Sequence, residues 1–325
     1  MKLKYDPFPL IFTQGDDATK LMCLEFMGLV ETPGAKTYLL SLIKQQHLCG
    51  TFPSYLEPRQ WGLRETARYS LLFLRVGMPP ECLNVQSSIH FILNVQRPDG
   101  GWSENPLLKI PPEQTWLSNR RSITWLTADI IELLNLAGLS KRFEYLAAVD
   151  FLRGLQNQDG SWPSVAPNDD TNQSHIGDPD PTAQITFLLG EICGYDDPVY
   201  QMGKSRFESY LAACAHDVER GYLIRGCDGK KQQNDVYQLT HLLLSWILDP
   251  PRRFSHGYAV RDPRVKRMME ALIAIQAQDG GWRPFWAEES SAIYTVLAIK
   301  ALVLSGMLTR KNLDPGVNFD ITCIG

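Results

Sequence analysis

Two aspartates, Asp178 and Asp180, stand in the segment "DPDPTA" (178–183) directly ahead of an apolar run. Two carboxyl groups this close can share one proton, and an apolar setting raises the hold of either group on it. The pair is therefore a candidate acid. The same letters also spell an ordinary helix start, with Asp at the N-cap and Pro at the first helical position. On that reading Asp180 caps a helix that opens at Pro181. It accepts backbone N–H bonds at the positive end of the helix dipole and stays ionised. A proton donor must be neutral at the moment of transfer, so the two readings exclude each other.

The elements that would position the pair are written in a repeat. "QRPDGGW" (96–102), "QNQDGSW" (156–162) and "QAQDGGW" (276–282) share the pattern Gln-x-x-Asp-Gly-x-Trp, with starts 60 and then 120 residues apart. "HDVERGY" at 216–222, with Tyr222 in the Trp position, fills the gap. "QHLCGTF" at 46–52 is a degenerate copy ahead of the first. Five beats at near-constant spacing mark a repeat architecture. Asp-Gly gives a tight turn, the Trp covers the end of the preceding helix, and the Gln bonds the loop backbone.

Each beat lies between two helical patterns. The segments before it, roughly 34–47, 82–97, 142–157, 200–215 and 263–277, mix apolar and charged positions, as a helix with one wet face does. Those after it, roughly 64–77, 122–138, 181–194, 235–249 and 290–306, are apolar around most of their circumference, as is 18–30 near the start. Six buried helices alternating with five more exposed ones predict an all-α (α/α)6 toroid forming a single domain over 1–325. The buried helices make its inner ring.

Composition fits a soluble enzyme-sized domain: 44% hydrophobic and 21% charged residues, with a formal net charge of −4 and no basic run. Nucleic acid is not an expected partner. Pro7 and Pro9 break the N-terminal apolar patch, which lacks the features of a secretory signal. No apolar run reaches the ~18 residues that a bilayer span needs. Seven cysteines without CxxC or Cys/His spacing read as reduced, mostly buried thiols. A cytoplasmic location follows.

Repeated QxxDGxW segments on such a barrel resemble the "QW" motifs of squalene-hopene cyclases and related triterpene cyclases, over about residues 40–300. The same barrel occurs in protein prenyltransferase β subunits and complement-type thioester domains, so site residues must separate them. A prenyltransferase zinc site takes an Asp, a nearby Cys and a distant His. Here "NDVYQLTHLLL" (234–244) offers Asp235 but has Tyr237 in the Cys place, and "ESSAIYTVLA" has no His. "GCDGKK" around Cys227 is no thioester motif. "DPDPTA" is similar to the Asp-x-Asp-Asp-Thr-Ala motif of class II terpene cyclases at Asp178, Asp180, Thr182 and Ala183. Pro181 replaces the last aspartate. "NDDTN" (168–172) breaks the DDxxD pattern of the class I mechanism.

The resemblance implies that Asp180 is the proton donor, with Asp178 beside it. His241, Asp235 and His175 would bond the acid or relay its proton. An alkene is a weak base and its cation is quenched by water, so the pocket must be dry, and aromatic faces can hold the cation. Trp116, Trp125, Phe187, Tyr237, Phe285, Trp286 and Tyr294 fall on loops or first turns of the inner helices and supply that lining. "SNRRS" (118–122) is a candidate for an anionic head group.

The implied activity is acid-initiated cyclisation of a linear isoprenoid or meroterpenoid chain of C15 to C20. No cofactor is implied, except Mg2+ if the substrate is a diphosphate. With one barrel where larger relatives have two, a partner subunit, such as a second copy in a homodimer, or peripheral contact with a membrane would complete the cavity. Two other readings stand: a carbohydrate-active barrel enzyme using Asp129 and Asp180 as paired carboxylates, and a non-catalytic lipid- or isoprenoid-binding module.

Overall fold

The structure is a computed structural model that describes residues 3–167, 177–219, 223–224, 231–232, 236–248, 262–284 and 286–308. Within these residues the chain forms twelve helices: α1 (Phe8–Gln14), α2 (Asp17–Met27), α3 (Pro33–Gln45), α4 (Leu63–Arg75), α5 (Leu83–Asn94), α6 (Thr124–Leu136), α7 (Phe143–Gly154), α8 (Pro179–Cys193), α9 (Pro198–Glu219), α10 (Val236–Leu248), α11 (Pro263–Ala274) and α12 (Ala292–Leu304). Two short antiparallel pairs complete the list, β1 (Phe52–Pro53) with β2 (Trp61–Gly62) and β3 (Leu223–Ile224) with β4 (Lys231–Gln232). All eleven helices expected from the periodicity are present within a few residues of their predicted ends.

The chain divides into two compact units, one of Met1–Leu39 with Phe207–Gly325 and one of Leu40–Arg206. In the second unit α4 packs on α5 and α6, and α6 packs on α7 and α8. In the first, α12 packs on α1, α2 and α10, and α10 also packs on α11.

One hydrogen-bond scheme recurs at four beats and explains their composition. The glutamine amide at the end of an outer helix donates to the carbonyl of its own beat glycine and to a carbonyl at the start of the next outer helix. Gln96 Nε2 reaches Gly100 O at 2.7 Å and Glu144 O at 2.8 Å. Gln156 reaches Gly160 and Val199, and Gln46 reaches Gly50 and Asn84. The indole N–H of Trp102, Trp162 and Trp282 donates to the carbonyl ten residues earlier, satisfying an orphan acceptor in the last turn of the outer helix. All three indoles are fully buried. The beat glycines Gly100, Gly160 and Gly280 have φ of 89°, 85° and 87° and lie against the backbone of the next outer segment, so any side chain there is excluded on both counts.

A threonine on the following inner helix completes each beat. Thr66, Thr127, Thr182 and Thr295 accept the backbone N–H of Phe52, Trp102, Trp162 and Trp282 at 2.9–3.2 Å. Thr66, Thr127 and Thr295 also donate to the carbonyl four residues back, at Gly62, Ile123 and Ser291. This threonine was not foreseen as part of the repeat. The beat aspartate takes a serine hydroxyl, Ser122 for Asp99 and Ser290 for Asp279. At the middle beat Asp159 takes Ser161 of its own turn. There Gly177 packs against Ser161, whereas Gly101 packs against Ser122 and Gly281 against Ser290. The serine and the glycine have exchanged sides.

α1 is a departure from expectation, because Pro7 and Pro9 read as breakers. Both stand at the helix start, where a missing N–H leaves no bond unmade, and Phe8, Leu10, Ile11 and Phe12 are buried. Gln276 donates to Tyr5 O and accepts from Lys4 N and Tyr5 N, so α1 takes the place the next outer helix holds at the other beats. Of the described cysteines, Cys23 and Cys214 are buried while Cys49 and Cys193 are exposed, which corrects the expectation of mostly buried thiols.

Candidate active site

Helix α8 starts two residues before the expected place. Asp178 is the N-cap, Pro179 is the first helical residue, and Asp180 lies inside the first turn. The Asp178 amide donates to Trp162 O at 2.8 Å and its carbonyl accepts from Thr182 N at 3.2 Å. Its side chain makes no cap bond and takes the Ser164 hydroxyl instead. The helix leaves four leading N–H groups without helical partners, and prolines at 179 and 181 delete two of them. The reading of Asp180 as a cap is therefore corrected. Its carboxyl is partly buried, with Oδ1 shielded from solvent.

The shared threonine sets α4, α6 and α8 in one register and identifies equivalent rungs. Two residues past the helix-entry position lie Arg64, Trp125 and Asp180, and four residues further lie Arg68, Asp129 and Gln184. Residues four apart share a helix face, so each pair forms one stripe. The second rung is bonded across the helices. Gln184 Nε2 donates to Asp129 Oδ1 at 2.6 Å, and Arg68 Nε lies 3.5 Å from Asp129 Oδ2. The Arg68 guanidinium stands over the Trp125 ring at 5.3 Å, and Arg64 over the Tyr55 ring at 4.4 Å. Burial pushes the Asp129 carboxyl above the usual range, against the pull of Arg68.

The register also changes the weight of the motif. Thr182-Ala183 recurs as Thr66-Ala67 and Thr127-Ala128, so these two letters of "DPDPTA" belong to the repeat and not to the acid. It also exposes acids that the sequence reading missed. Glu65, in the place of Pro181 on α4, is 7% exposed, and burial raises its carboxyl to about 7; Arg64 opposes this and nearby Glu104 reinforces it. Glu65 Oε2 is buried without a hydrogen bond. Glu104 accepts from Leu63 N at 2.9 Å and Arg64 N at 3.1 Å, and so caps α4 from a loop 40 residues away. The Glu-Thr-Ala to Thr-Ala correspondence is the signal that could have located Glu65.

In the other unit, Tyr237, Trp286 and Tyr294 form an edge-to-face trio with centroids 5.4–5.9 Å apart. His241 lies 4.1 Å from the Tyr237 ring. Its Nδ1 is 2.8 Å from Tyr237 O. A carbonyl can only accept, so Nδ1 carries a proton and donates it to this bond.

The remaining sequence candidates divide three ways. Trp116 joins Trp125, whose Nε1 donates to Trp116 O at 3.0 Å. Phe187 is 2% exposed and packs edge-on against Tyr200 of α9, so it is core packing rather than cavity lining, a correction to the aromatic set. Of the "SNRRS" pair, Arg121 is engaged with Ala166 O and Arg120 is exposed. His175, Asp235 and Phe285 lie outside the described residues, as do "NDDTN" and Tyr222. Among the described residues no three His, Cys, Asp or Glu side chains group as metal ligands, and no helix is long and apolar enough to cross a membrane.

No protein-family model and no curated protein matches the chain. Solved structures do. The type II terpene cyclase MstE from Scytonema, in its apo form, superposes with a TM-score of 0.60 at 13% identity, over 90% of this chain and 88% of that one. Protein geranylgeranyltransferase-I from Candida albicans, complexed with GGPP, gives 0.61 at 13% identity, over 88% and 82%. ent-Copalyl diphosphate synthase from Streptomyces platensis gives 0.55 at 18%, over 90% of this chain and half of that longer one. The chain has a terpene cyclase-like fold. It is all-α and of the (α/α) barrel class, as the alternating repeat predicts, and at these identities the likeness speaks for the fold alone.

Proposed function

We propose that the protein is a class II terpenoid or meroterpenoid cyclase in which Asp180 protonates the terminal alkene or epoxide of a linear isoprenoid chain. The proton leaves the Asp180 carboxyl for a substrate carbon or the epoxide oxygen, and a tertiary cation forms. Neighbouring double bonds attack it in turn to close rings. Loss of a proton from the last cation makes the product of an alkene substrate an isomer of equal mass. The observation that carries this reading is the start of α8: the cap position belongs to Asp178, which leaves Asp180 in the first turn of the helix, at the position equivalent to Trp125 on the neighbouring α6. Ser164 holds Asp178, which acts on the acid as a neighbouring carboxylate. Trp125 and Trp116, in the same unit as Asp180, are assigned to the isoprenoid.

Similar folds bind such chains, since one MstE structure holds geranylgeranyl dihydroxybenzoate, named as its substrate, and the Candida enzyme holds GGPP. No cofactor enters the proposal; a diphosphate head would bring Mg2+ with it. The paired-carboxylate reading is weakened because Gln184 and Arg68 engage both oxygens of Asp129, so it is not placed as a second acid or base. The test is incubation of the purified protein with farnesyl, geranylgeranyl and prenylated-aromatic substrates, followed by a search for equal-mass products of altered retention. Wild type forms them and Asp180→Asn does not. Equal turnover by Asp180→Asn would falsify the assignment.

A further inference from the structure

We infer that Arg68 is the docking point for an anionic head group, a carboxylate or a phosphate, on the isoprenoid that Asp180 protonates. The inference rests on the cyclase reading and adds the substrate's other end.

The geometry begins with the stripes on α4, α6 and α8. Inner-helix positions of this kind are expected to be apolar in a pocket that must stay dry, and here one rung carries a cation, a carboxylate and an amide. Arg68 is the member of that rung with room for a ligand: its side chain is 48% exposed, whereas that of Asp129 is 15% exposed. At 3.5 Å the Arg68–Asp129 contact is longer than a tight charge-assisted hydrogen bond. One nitrogen of the guanidinium faces Asp129, and the fork can offer its remaining N–H groups to two oxygens of one anion. The Trp125 ring beneath the guanidinium adds a cation–π contact that helps to hold it in place. Gln184 holds the other oxygen of Asp129, so the carboxylate is shared between the amide and the arginine. Arg64, one turn away on the same stripe, adds positive charge while stacked on Tyr55.

The spacing sets the length of the ligand. α4 contacts α6 and α6 contacts α8. Packed helices lie about 8–10 Å apart, so Arg68 and Asp180 are separated by roughly two such steps. That span suits a folded farnesyl- to geranylgeranyl-length chain with its head on α4 and its terminal alkene on α8. The head-group cation is thus Arg68 on α4 rather than Arg120 or Arg121 on the loop ahead of α6.

The experiment separates binding from turnover. Binding is measured by calorimetry on the Asp180→Asn protein, which leaves the ligand intact. The probes are geranylgeranyl diphosphate against geranylgeraniol, and geranylgeranyl dihydroxybenzoate against its methyl ester. The anionic member of each pair binds more tightly. Arg68→Gln reduces that preference roughly ten- to a hundredfold, the worth of one or two hydrogen bonds to a charged group, and leaves the neutral members unchanged. Asp129→Asn, which keeps an acceptor for Gln184, shifts the preference the other way, because it frees the guanidinium from its counter-charge. Thermal unfolding of each variant verifies the fold. Equal binding of charged and neutral probes, or equal loss of both in Arg68→Gln, overturns the inference. A preserved anion preference in a protein that forms no cyclised product overturns the cyclase reading and leaves the head-group site standing.

Discussion

Gln184 on α8 donates a 2.6 Å hydrogen bond to Asp129 on α6, one helical turn beyond Asp180. The bond ties α8, which carries Asp180, to α6. Gln184→Leu leaves a largely buried carboxylate short of a donor. The expected loss is about 1–3 kcal/mol of folding stability, read by urea denaturation. Gln184→Glu should lose more at pH 8 than at pH 5, since a second carboxylate then faces Asp129.

Glu65 gives the fold a pH dependence with a definite sign. Its carboxyl holds a proton up to about 7 when folded, against an ordinary value of 4.5. The folded state therefore binds the extra proton, and the stability Glu65 contributes falls as pH rises from about 4.5 through about 7. Glu65→Gln removes this dependence. At pH 8 the variant should be more stable than wild type by roughly 1–3 kcal/mol, with the gap closing toward pH 5. A thermal-melt series across that range measures it, and an unchanged wild-type slope in the variant would refute the assignment.

Thr182 tests which part of "DPDPTA" is chemistry. Thr182→Val deprives the Trp162 amide of its acceptor, and Thr127→Val and Thr295→Val do the same at Trp102 and Trp282. Each should lower stability by about 1–2 kcal/mol while the folded fraction keeps its activity. Selective loss of turnover in Thr182→Val would instead return the threonine to the acid's own network.

Gln276→Ala removes four hydrogen bonds at once, two from the backbone amides of Lys4 and Tyr5 and two to the carbonyls of Tyr5 and Gly280. The predicted effect is a loss of about 1–3 kcal/mol and earlier proteolytic cleavage ahead of α1. Gln96→Ala should leave that cleavage unchanged.

The helices and four of the five beats were legible because periodicity and turn chemistry are local: apolar spacing and Asp-Gly turns; at the fifth, His216–Glu219 continue α9. The start of α8 was not. "DPDP" offers two Asp-Pro caps of equal local quality, and the choice falls to the hydrogen bond that the Asp178 N–H donates to the carbonyl of Trp162, sixteen residues earlier. Glu104 was invisible for the same reason, as it caps α4 from across a loop. The Arg68–Asp129–Gln184 rung was hidden until the threonine register was known, because loops of different length separate the repeats. α1 was lost to a rule about proline that does not hold in a helix's first turn.

The position of α1 has a consequence for how the chain reaches its native state. Its partners, Gln276 and α12, are made some 260 to 300 residues after it. During synthesis this apolar helix is made well before α12 and waits for it until nearly the whole described chain has followed. Contacts so distant in sequence form slowly, since a long loop must close before they are rewarded. The first unit should therefore complete last, and the window before it does is when the nascent protein is most in need of a chaperone.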